Sequence, residues 1–195
     1  MRTAEIKRTS TDTDISIKLN IDGKGEYSVN TGCEFFDHML SLFAKHGSFD
    51  LDVFCNGDIG VDAHHTVEDV AMCLGQAFLD AAGDKAGICR YGDIILPMDE
   101  SLIMCAVDFG GRSYLGYDVE IRSGKCGTFD TELCEEFMQA FVRYAKINLH
   151  IRKITGTNAH HIIEGCFKAL ARTLKKALTV DESLGGALPT TKGVF

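Results

Sequence analysis

The chain has 195 residues, of which 45% are hydrophobic and 25% charged, which suits one globular unit or two small half-domains sharing a core. Its formal net charge of −8 argues against a general nucleic-acid binder, and no apolar run approaches the roughly 18 residues that a membrane span needs. The eight cysteines stand singly, without a C-x-x-C pair, so we expect buried free thiols. The N-terminus has no apolar signal core, so we expect the protein in the cytoplasm.

The first half of the chain predicts strands on either side of a helix, followed by a second helix. Apolar residues alternate from Ile15 to Ile21 and again over 49–53, which is typical of half-buried strands. Residues 34–45 carry apolar positions at helical spacing, and a longer helix is predicted over 64–82.

The second half predicts the same kinds of element. Three strands are expected at 94–96, 102–109 and 113–121. The pair Gly110-Gly111 is predicted to form the hairpin turn between the last two strands. Helices are predicted over 130–146, with Thr131 as the cap, and over 160–178.

The two halves also resemble each other in sequence. Glu34-Phe35-Phe36-Asp37-His38-Met39 aligns with Glu132-Leu133-Cys134-Glu135-Glu136-Phe137, and the likeness continues through the helix that follows. We therefore predict an internally duplicated α+β fold in a single domain spanning 1–195, with repeats at about 1–88 and 89–195. Each repeat is expected to form a sheet of about four strands with two helices packed on one face.

Each repeat carries the pattern H-H-x-x-E where its second helix begins. The two copies are His64-His65-Thr66-Val67-Glu68 and His160-His161-Ile162-Ile163-Glu164. In each copy the first histidine and the glutamate share a helix face, while the second histidine points elsewhere. Imidazole and carboxylate groups are typical ligands of divalent transition metals. A lone histidine is more often structural, but two copies at matching places in a repeat favour metal binding.

The repeat alignment adds one further ligand to each motif. It sets His38 opposite Glu136, so both are predicted to bind metal. The histidines that point away from their own motif are assigned to the other site, as a hypothesis. One predicted site then consists of His38, His64, Glu68 and His161, and the other of His65, Glu136, His160 and Glu164.

Together these residues resemble the imidazoleglycerol-phosphate dehydratase family over essentially the whole chain. The segments that carry the resemblance are Phe36-Asp37-His38-Met39-Leu40, the two H-H-x-x-E motifs with their flanks, Pro97-Met98-Asp99-Glu100, Phe129-Asp130-Thr131-Glu132-Leu133 and Pro189-Thr190-Thr191-Lys192-Gly193-Val194. The resemblance implies a fold akin to the GHMP-kinase superfamily. It also implies a hydro-lyase of histidine biosynthesis that converts imidazole glycerol phosphate to imidazole acetol phosphate with two Mn²⁺ per active site. The resemblance further implies a homo-oligomer of 24 subunits with active sites at subunit interfaces.

The resemblance also implies which residues bind the substrate. The family's phosphate-binding positions match Arg90, Arg112, Lys168, Thr190, Thr191 and Lys192. Arginine suits bidentate phosphate recognition, whereas lysine acts as a point charge. His46 is a further substrate-contact candidate. Two positions depart from the family: Glu136 stands where many members carry His, and Asp12 stands where a pocket Glu is usual.

The chemistry needs help from metal ions because the hydrogen to be removed has no carbonyl beside it. No motif for an organic cofactor is present. A ring bound by two metals would favour its imidazolate form, which can expel the adjacent hydroxyl. Proton transfer is then needed at two steps. Glu164 and Glu68 are candidates for it besides binding metal, with Glu164 favoured, and Asp12 is the second candidate.

Two other functions fit parts of the pattern. A metal-dependent hydrolase would also clamp a phosphate between metal ions, but it would release free phosphate. A metal-storage or metal-sensing module would bind metal without turnover. Arg90, Arg112 and the basic tail argue against that third possibility, because a pure metal binder needs no phosphate contacts.

Overall fold

The computed structural model describes residues 1–193 and contains two four-stranded sheets, a two-stranded ribbon and four long helices. In chain order the elements are β1 (Thr3–Thr9), β2 (Thr13–Asn20), β3 (Tyr27–Asn30), α1 (Glu34–Gly47), β4 (Asp50–Gly57), α2 (His64–Ala82), β5 (Tyr91–Met98), β6 (Ser101–Asp108), β7 (Tyr114–Asp118), β8 (Lys125–Cys126), β9 (Phe129–Asp130), α3 (Leu133–Ala145), β10 (Asn148–Thr155), α4 (Ala159–Leu178) and a short 3₁₀ helix (Glu182–Leu184).

The two sheets share one topology, which confirms the predicted duplicated α+β fold. Their strand orders are β1-β2-β4-β3 and β5-β6-β10-β7, with the last pair parallel in each sheet and the other pairs antiparallel. Helices α1 and α2 lie against the first sheet, and α3 and α4 against the second. The boundary near residue 88 and the relation to GHMP kinases stay predictions.

Packing between the repeats fixes which helices meet. Helix α1 packs on α4 and α2 packs on α3, so the helices lie between the two sheets. Aromatic side chains fill this inner layer: the ring centroids of Phe36 and Phe137 are 5.7 Å apart, and those of Phe43 and Phe141 are 6.5 Å apart. All four rings are fully buried, and removing them from water stabilises the helix positions.

Gly75 allows α2 to approach α3 closely. A Cβ atom at this position would lie 2.6 Å from the carbonyl oxygen of Phe141 and 3.0 Å from the backbone nitrogen of Ala145. Any larger residue would therefore push the two helices apart. The spacing of α2 and α3 matters because α2 carries His64 and Glu68 while α3 carries Glu136.

Two local predictions were wrong. Gly110-Gly111 does not join a hairpin, because β6 and β7 lie on opposite sides of β10, with Leu115 of β7 paired in parallel to Leu149. The sequence located both strands but could not reveal that a later strand comes between them. Thr131 does not cap α3: its hydroxyl donates to the Ser123 carbonyl at 2.7 Å. The strands β1 and β3 were not predicted, because they contain few buried apolar residues.

All eight cysteines are free thiols, and six of them are buried. Burial raises the pKa of Cys55 and of Cys73 to about 11, so these thiols stay protonated. Among residues 1–193, no helix combines the length and the apolar character needed to cross a bilayer.

Candidate metal and active site

The packing of α1 on α4 brings three potential metal ligands together. His38 Nε2 lies 3.8 Å from Glu164 Oε2, and His160 Nε2 lies 3.1 Å from the same oxygen. The donor atoms of these three residues all lie within 4.8 Å of one another. Two imidazole nitrogens and a carboxylate oxygen suit a divalent first-row metal ion. The residues present therefore fit a metal site.

Lys168 fixes the Glu164 carboxylate from its other side. The Lys168 ammonium lies 2.5 Å from Glu164 Oε1, one helical turn along α4. Burial of Glu164 raises its pKa, but the hydrogen bond and charge of Lys168, together with His160, outweigh this and lower the pKa below its usual value. Glu164 is thus held ionised, as a ligand must be, with Oε2 turned toward the histidines.

The two histidines at the start of α4 turn in different directions, as predicted. The Asn158 side chain caps the helix by accepting hydrogen bonds from the backbone N–H groups of both His160 and His161. The His160 ring faces Glu164, whereas His161 Nδ1 lies 2.7 Å from Glu100 Oε2. The hydrogen bond to Glu100 raises the pKa of His161.

The first repeat contains a related arrangement around His65. His65 Nδ1 lies 2.8 Å from Asp58 Oδ2, and this hydrogen bond raises the pKa of His65. Asp12, Asp58 and His65 offer donor atoms that lie within 4.8 Å of one another. Asp12 lies in the turn between β1 and β2, just as Glu100 lies in the turn between β5 and β6. The predicted candidate Asp12 therefore adjoins a predicted metal ligand.

Within one chain, the structure does not bring His38 to His64 and Glu68, and their predicted grouping stays a prediction for sites shared between subunits. His38 belongs to α1, which packs on α4, so it meets His160 and Glu164 instead. Glu136 belongs to α3, which packs on α2 and hence on the helix of His64 and Glu68. The carboxylates of Glu68 and Glu136 make no hydrogen bond or ion pair with any other residue from 1 to 193. The alignment identified equivalent positions but not the helix that each one faces.

The predicted phosphate ligands fall into two groups. A cavity of about 580 Å³ is lined by Arg90, Tyr91, Gly110, Arg112, Pro189, Thr190, Thr191 and Lys192. Arg90 is held in this cavity by Asp108, whose Oδ1 lies 2.7 Å from its Nε, and by the Pro189 carbonyl. Lys168 and His46 lie apart from it, along the contact of α1 with α4. Burial, followed by the charges of Lys168 and Arg172, lowers the pKa of His46.

The sequence assigns no role to Glu100, Asp58 or Asn158. Asn158 caps α4, while Glu100 and Asp58 accept hydrogen bonds from His161 and His65. Glu100 stands in the run Pro97-Met98-Asp99-Glu100, which carries part of the family resemblance. Glu100 directly precedes β6, as Asp12 directly precedes β2, and this equivalence between the repeats is the sequence signal that points to it. The contact itself depends on the fold, because it joins a turn of the second sheet to the start of α4.

The chain is similar to proteins of one family over its full length. Residues 31–174 match the imidazoleglycerol-phosphate dehydratase family profile. The imidazoleglycerol-phosphate dehydratases of Caldanaerobacter subterraneus subsp. tengcongensis and Thermoanaerobacter pseudethanolicus are 53% and 54% identical over 195 residues, which is 100% of each chain.

Two solved structures of the same family share the fold. The Staphylococcus aureus N315 enzyme is 40% identical, with a TM-score of 0.84 over 92% of this chain and 99% of that one. The Pyrococcus furiosus protein in complex with (S)-C348 is 32% identical, with a TM-score of 0.84 over 97% of this chain and 100% of that one.

Proposed function

The chain belongs to the imidazoleglycerol-phosphate dehydratase family and is a hydro-lyase, and we propose that it converts imidazole glycerol phosphate to imidazole acetol phosphate in cytoplasmic histidine biosynthesis. The family relation over the whole length supports the substrate. The single structural observation that carries the proposal is the convergence of His38, His160 and Glu164, one from the first repeat and two from the second, on one point.

We further propose that each active site holds two Mn²⁺ ions. His38, His160 and Glu164 would contribute to one, and His64, Glu68 and Glu136 would contribute to the other through the packing of α2 on α3. When bound, such ions would supply Lewis acidity, which would favour the deprotonated imidazolate form of the substrate ring and so the loss of the adjacent hydroxyl.

Proton transfer is assigned to carboxylates that the fold holds near the ligands. Glu164 is kept ionised by Lys168, so it can accept a proton at the oxygen that faces the histidines when its coordination of the metal ion is weak or changes during turnover. Glu68 is the matching group of the first repeat. Asp12 is the second candidate, because it adjoins His65 on an exposed turn where a substrate can reach it.

We propose, as the family resemblance implies, a homo-oligomer of 24 subunits with active sites at interfaces. His65 and His161 face carboxylates at Nδ1 and are not among the three residues that converge at His38 in their own chain. Their Nε2 atoms would therefore complete metal sites together with ligands from a neighbouring subunit.

The cavity beside Arg90 supports binding of the substrate phosphate. Arg112 and Lys192 line it together with the hydroxyls of Thr190 and Thr191. Charge-assisted hydrogen bonds from such groups are the strong ones, and a guanidinium can hold a phosphate in bidentate fashion. Lys168 and His46 would contact the substrate from the seam between α1 and α4.

The identity of the products tests this function. Purified protein is incubated with Mn²⁺ and imidazole glycerol phosphate, the ketone is followed by its ultraviolet absorbance, and free phosphate is measured in parallel. A dehydratase yields ketone without phosphate. Release of phosphate would instead establish a hydrolase, and metal binding without either product would establish a storage or sensing protein.

A further inference from the structure

We infer that Glu100 is a positioning residue that holds His161 in the tautomer with its proton on Nδ1, so that Nε2 is the nitrogen offered to a metal ion. An ionised carboxylate can only accept a hydrogen bond, so the 2.7 Å contact from His161 Nδ1 to Glu100 Oε2 requires a proton on Nδ1. The inference rests on the proposed function, because it takes His161 to be a metal ligand. Metal-bound histidines commonly donate their other nitrogen to a carboxylate in this way.

The surroundings of Glu100 leave its carboxylate one orientation. Its Oε1 accepts hydrogen bonds from the backbone nitrogens of Asn158 at 2.9 Å and Thr157 at 3.2 Å, and Ser101 Oγ lies 3.1 Å away. The Glu100 carbonyl in turn accepts a bond from the Thr155 hydroxyl at 3.1 Å. One carboxylate oxygen is thus committed to the segment leading into α4, and the other is committed to the imidazole.

The direction of Nε2 follows from this arrangement. The nearest acidic group to it is Asp99, whose Oδ2 lies 3.7 Å away, beyond normal hydrogen-bond distance. The Asp99 side chain is 74% exposed and therefore able to turn aside. Nε2 is consequently the ring nitrogen that an incoming ion can reach.

Asp58 holds His65 in a weaker version of the same arrangement. Asp58 Oδ2 lies 2.8 Å from His65 Nδ1, but its other oxygen is buried and accepts no hydrogen bond from residues 1–193. No backbone donor therefore dictates which oxygen faces the ring. The two repeats share the contact but differ in how firmly it is anchored.

This difference makes the consequences of an amide substitution unequal at the two positions. In Glu100→Gln the amide oxygen must face the N–H groups of Thr157 and Asn158, so the NH₂ group faces His161 and forces the proton onto Nε2, where it blocks metal binding. In Asp58→Asn the amide can rotate and keep its oxygen toward His65. Glu100→Gln should therefore weaken metal binding and Asp58→Asn should weaken it less.

The test measures Mn²⁺ affinity rather than turnover. Free Mn²⁺ is followed by electron paramagnetic resonance at pH 8 in wild type, E100Q, E100D, D58N and the control E5Q, which removes an exposed charge on β1. The melting temperature of each metal-free protein is measured alongside. We expect E100Q to bind Mn²⁺ about 10–100-fold more weakly at one site, with E100D, which keeps the carboxylate, less affected and E5Q unchanged.

Three results would overturn the inference. One is a wild-type Mn²⁺ affinity in E100Q. Another is a loss of Mn²⁺ affinity in E100D as large as that in E100Q. A purely structural role of Glu100 would depend on side-chain length, which Gln keeps and Asp does not. The third is failure of E100Q to fold. Gln keeps an oxygen that accepts hydrogen bonds from the backbone N–H groups of Thr157 and Asn158, so a positioning role predicts a folded variant. Release of phosphate by a protein with the expected affinities would instead sink the proposed function alone.

Discussion

His38 and Glu164 face each other across the two repeats, with His38 Nε2 3.8 Å from Glu164 Oε2. Neither repeat could form this pair alone, because α1 belongs to the first and α4 to the second. The duplication therefore does more than double a motif. By packing α1 on α4, it brings potential metal ligands from both halves of the chain together.

Glu164→Gln should abolish measurable turnover. The amide cannot accept a proton at neutral pH and is a poorer metal ligand, and it loses the charge that pairs with Lys168. We expect kcat to fall at least about 100-fold, while Glu5→Gln stays at the wild-type rate. A near-normal rate in Glu164→Gln with both metal ions bound would refute the role of this carboxylate.

Glu136→Ala should reduce the number of Mn²⁺ ions bound or their affinity. Glu136 is half-buried on α3, which packs against α2, the helix that carries His64 and Glu68. No other residue from 1 to 193 makes a hydrogen bond or ion pair with its carboxylate. The matched control is Glu135→Ala, which removes an exposed carboxylate from the adjacent position. Metal analysis of both variants checks the assignment, and two tightly bound ions in Glu136→Ala would disprove it.

Gly75→Ala should destabilise the protein. The added methyl group would lie 2.6 Å from the Phe141 carbonyl oxygen, so α2 and α3 must separate. Overpacking of this kind costs about 1–3 kcal/mol, which lowers the melting temperature by several degrees. Gly60→Ala is the control, because nothing lies within 4 Å of a Cβ atom there. Equal melting temperatures for the two variants would show that the helix spacing is not tight.

Mn²⁺ affinity should fall as the pH is lowered, starting above pH 6.5. Hydrogen bonds to Glu100 and Asp58 raise the pKa values of His161 and His65 above the ordinary 6.5. Protonated imidazole cannot bind a metal ion, so protons compete with Mn²⁺ until the pH exceeds these raised pKa values. Titrations between pH 6 and 9 measure the effect. An affinity that is constant across this range would contradict it.

Sequence patterns predicted the helices closely because each one buries a regular apolar stripe. The prediction of 64–82 coincides with α2, and that of 34–45 falls two residues short of the end of α1, where Ser48 adopts a left-handed conformation. Strand neighbours could not be predicted in the same way. Alternation assigns a face to each strand, but only the packed structure places β10 between β6 and β7.

His38, His160 and Glu164 were each predicted as metal ligands, but their meeting within one chain was not predicted. Histidine pairs and glutamates are visible as a repeated pattern, and the diverging rings of His160 and His161 follow from helix geometry. The partner of His38 depends on which helices meet across the repeats, and no local pattern contains that information. The role of Glu100 was not predicted for the same reason, because its contacts join a turn between two strands to the start of a distant helix.

The most direct test of the central claim is the activity of metal-free protein as Mn²⁺ is added back. Dehydration of imidazole glycerol phosphate is followed by ketone absorbance after treatment with a chelator. A two-metal site predicts no turnover in chelator and recovery that saturates at two Mn²⁺ per chain. Turnover that persists in chelator, or that is complete with one Mn²⁺ per chain, would contradict the account.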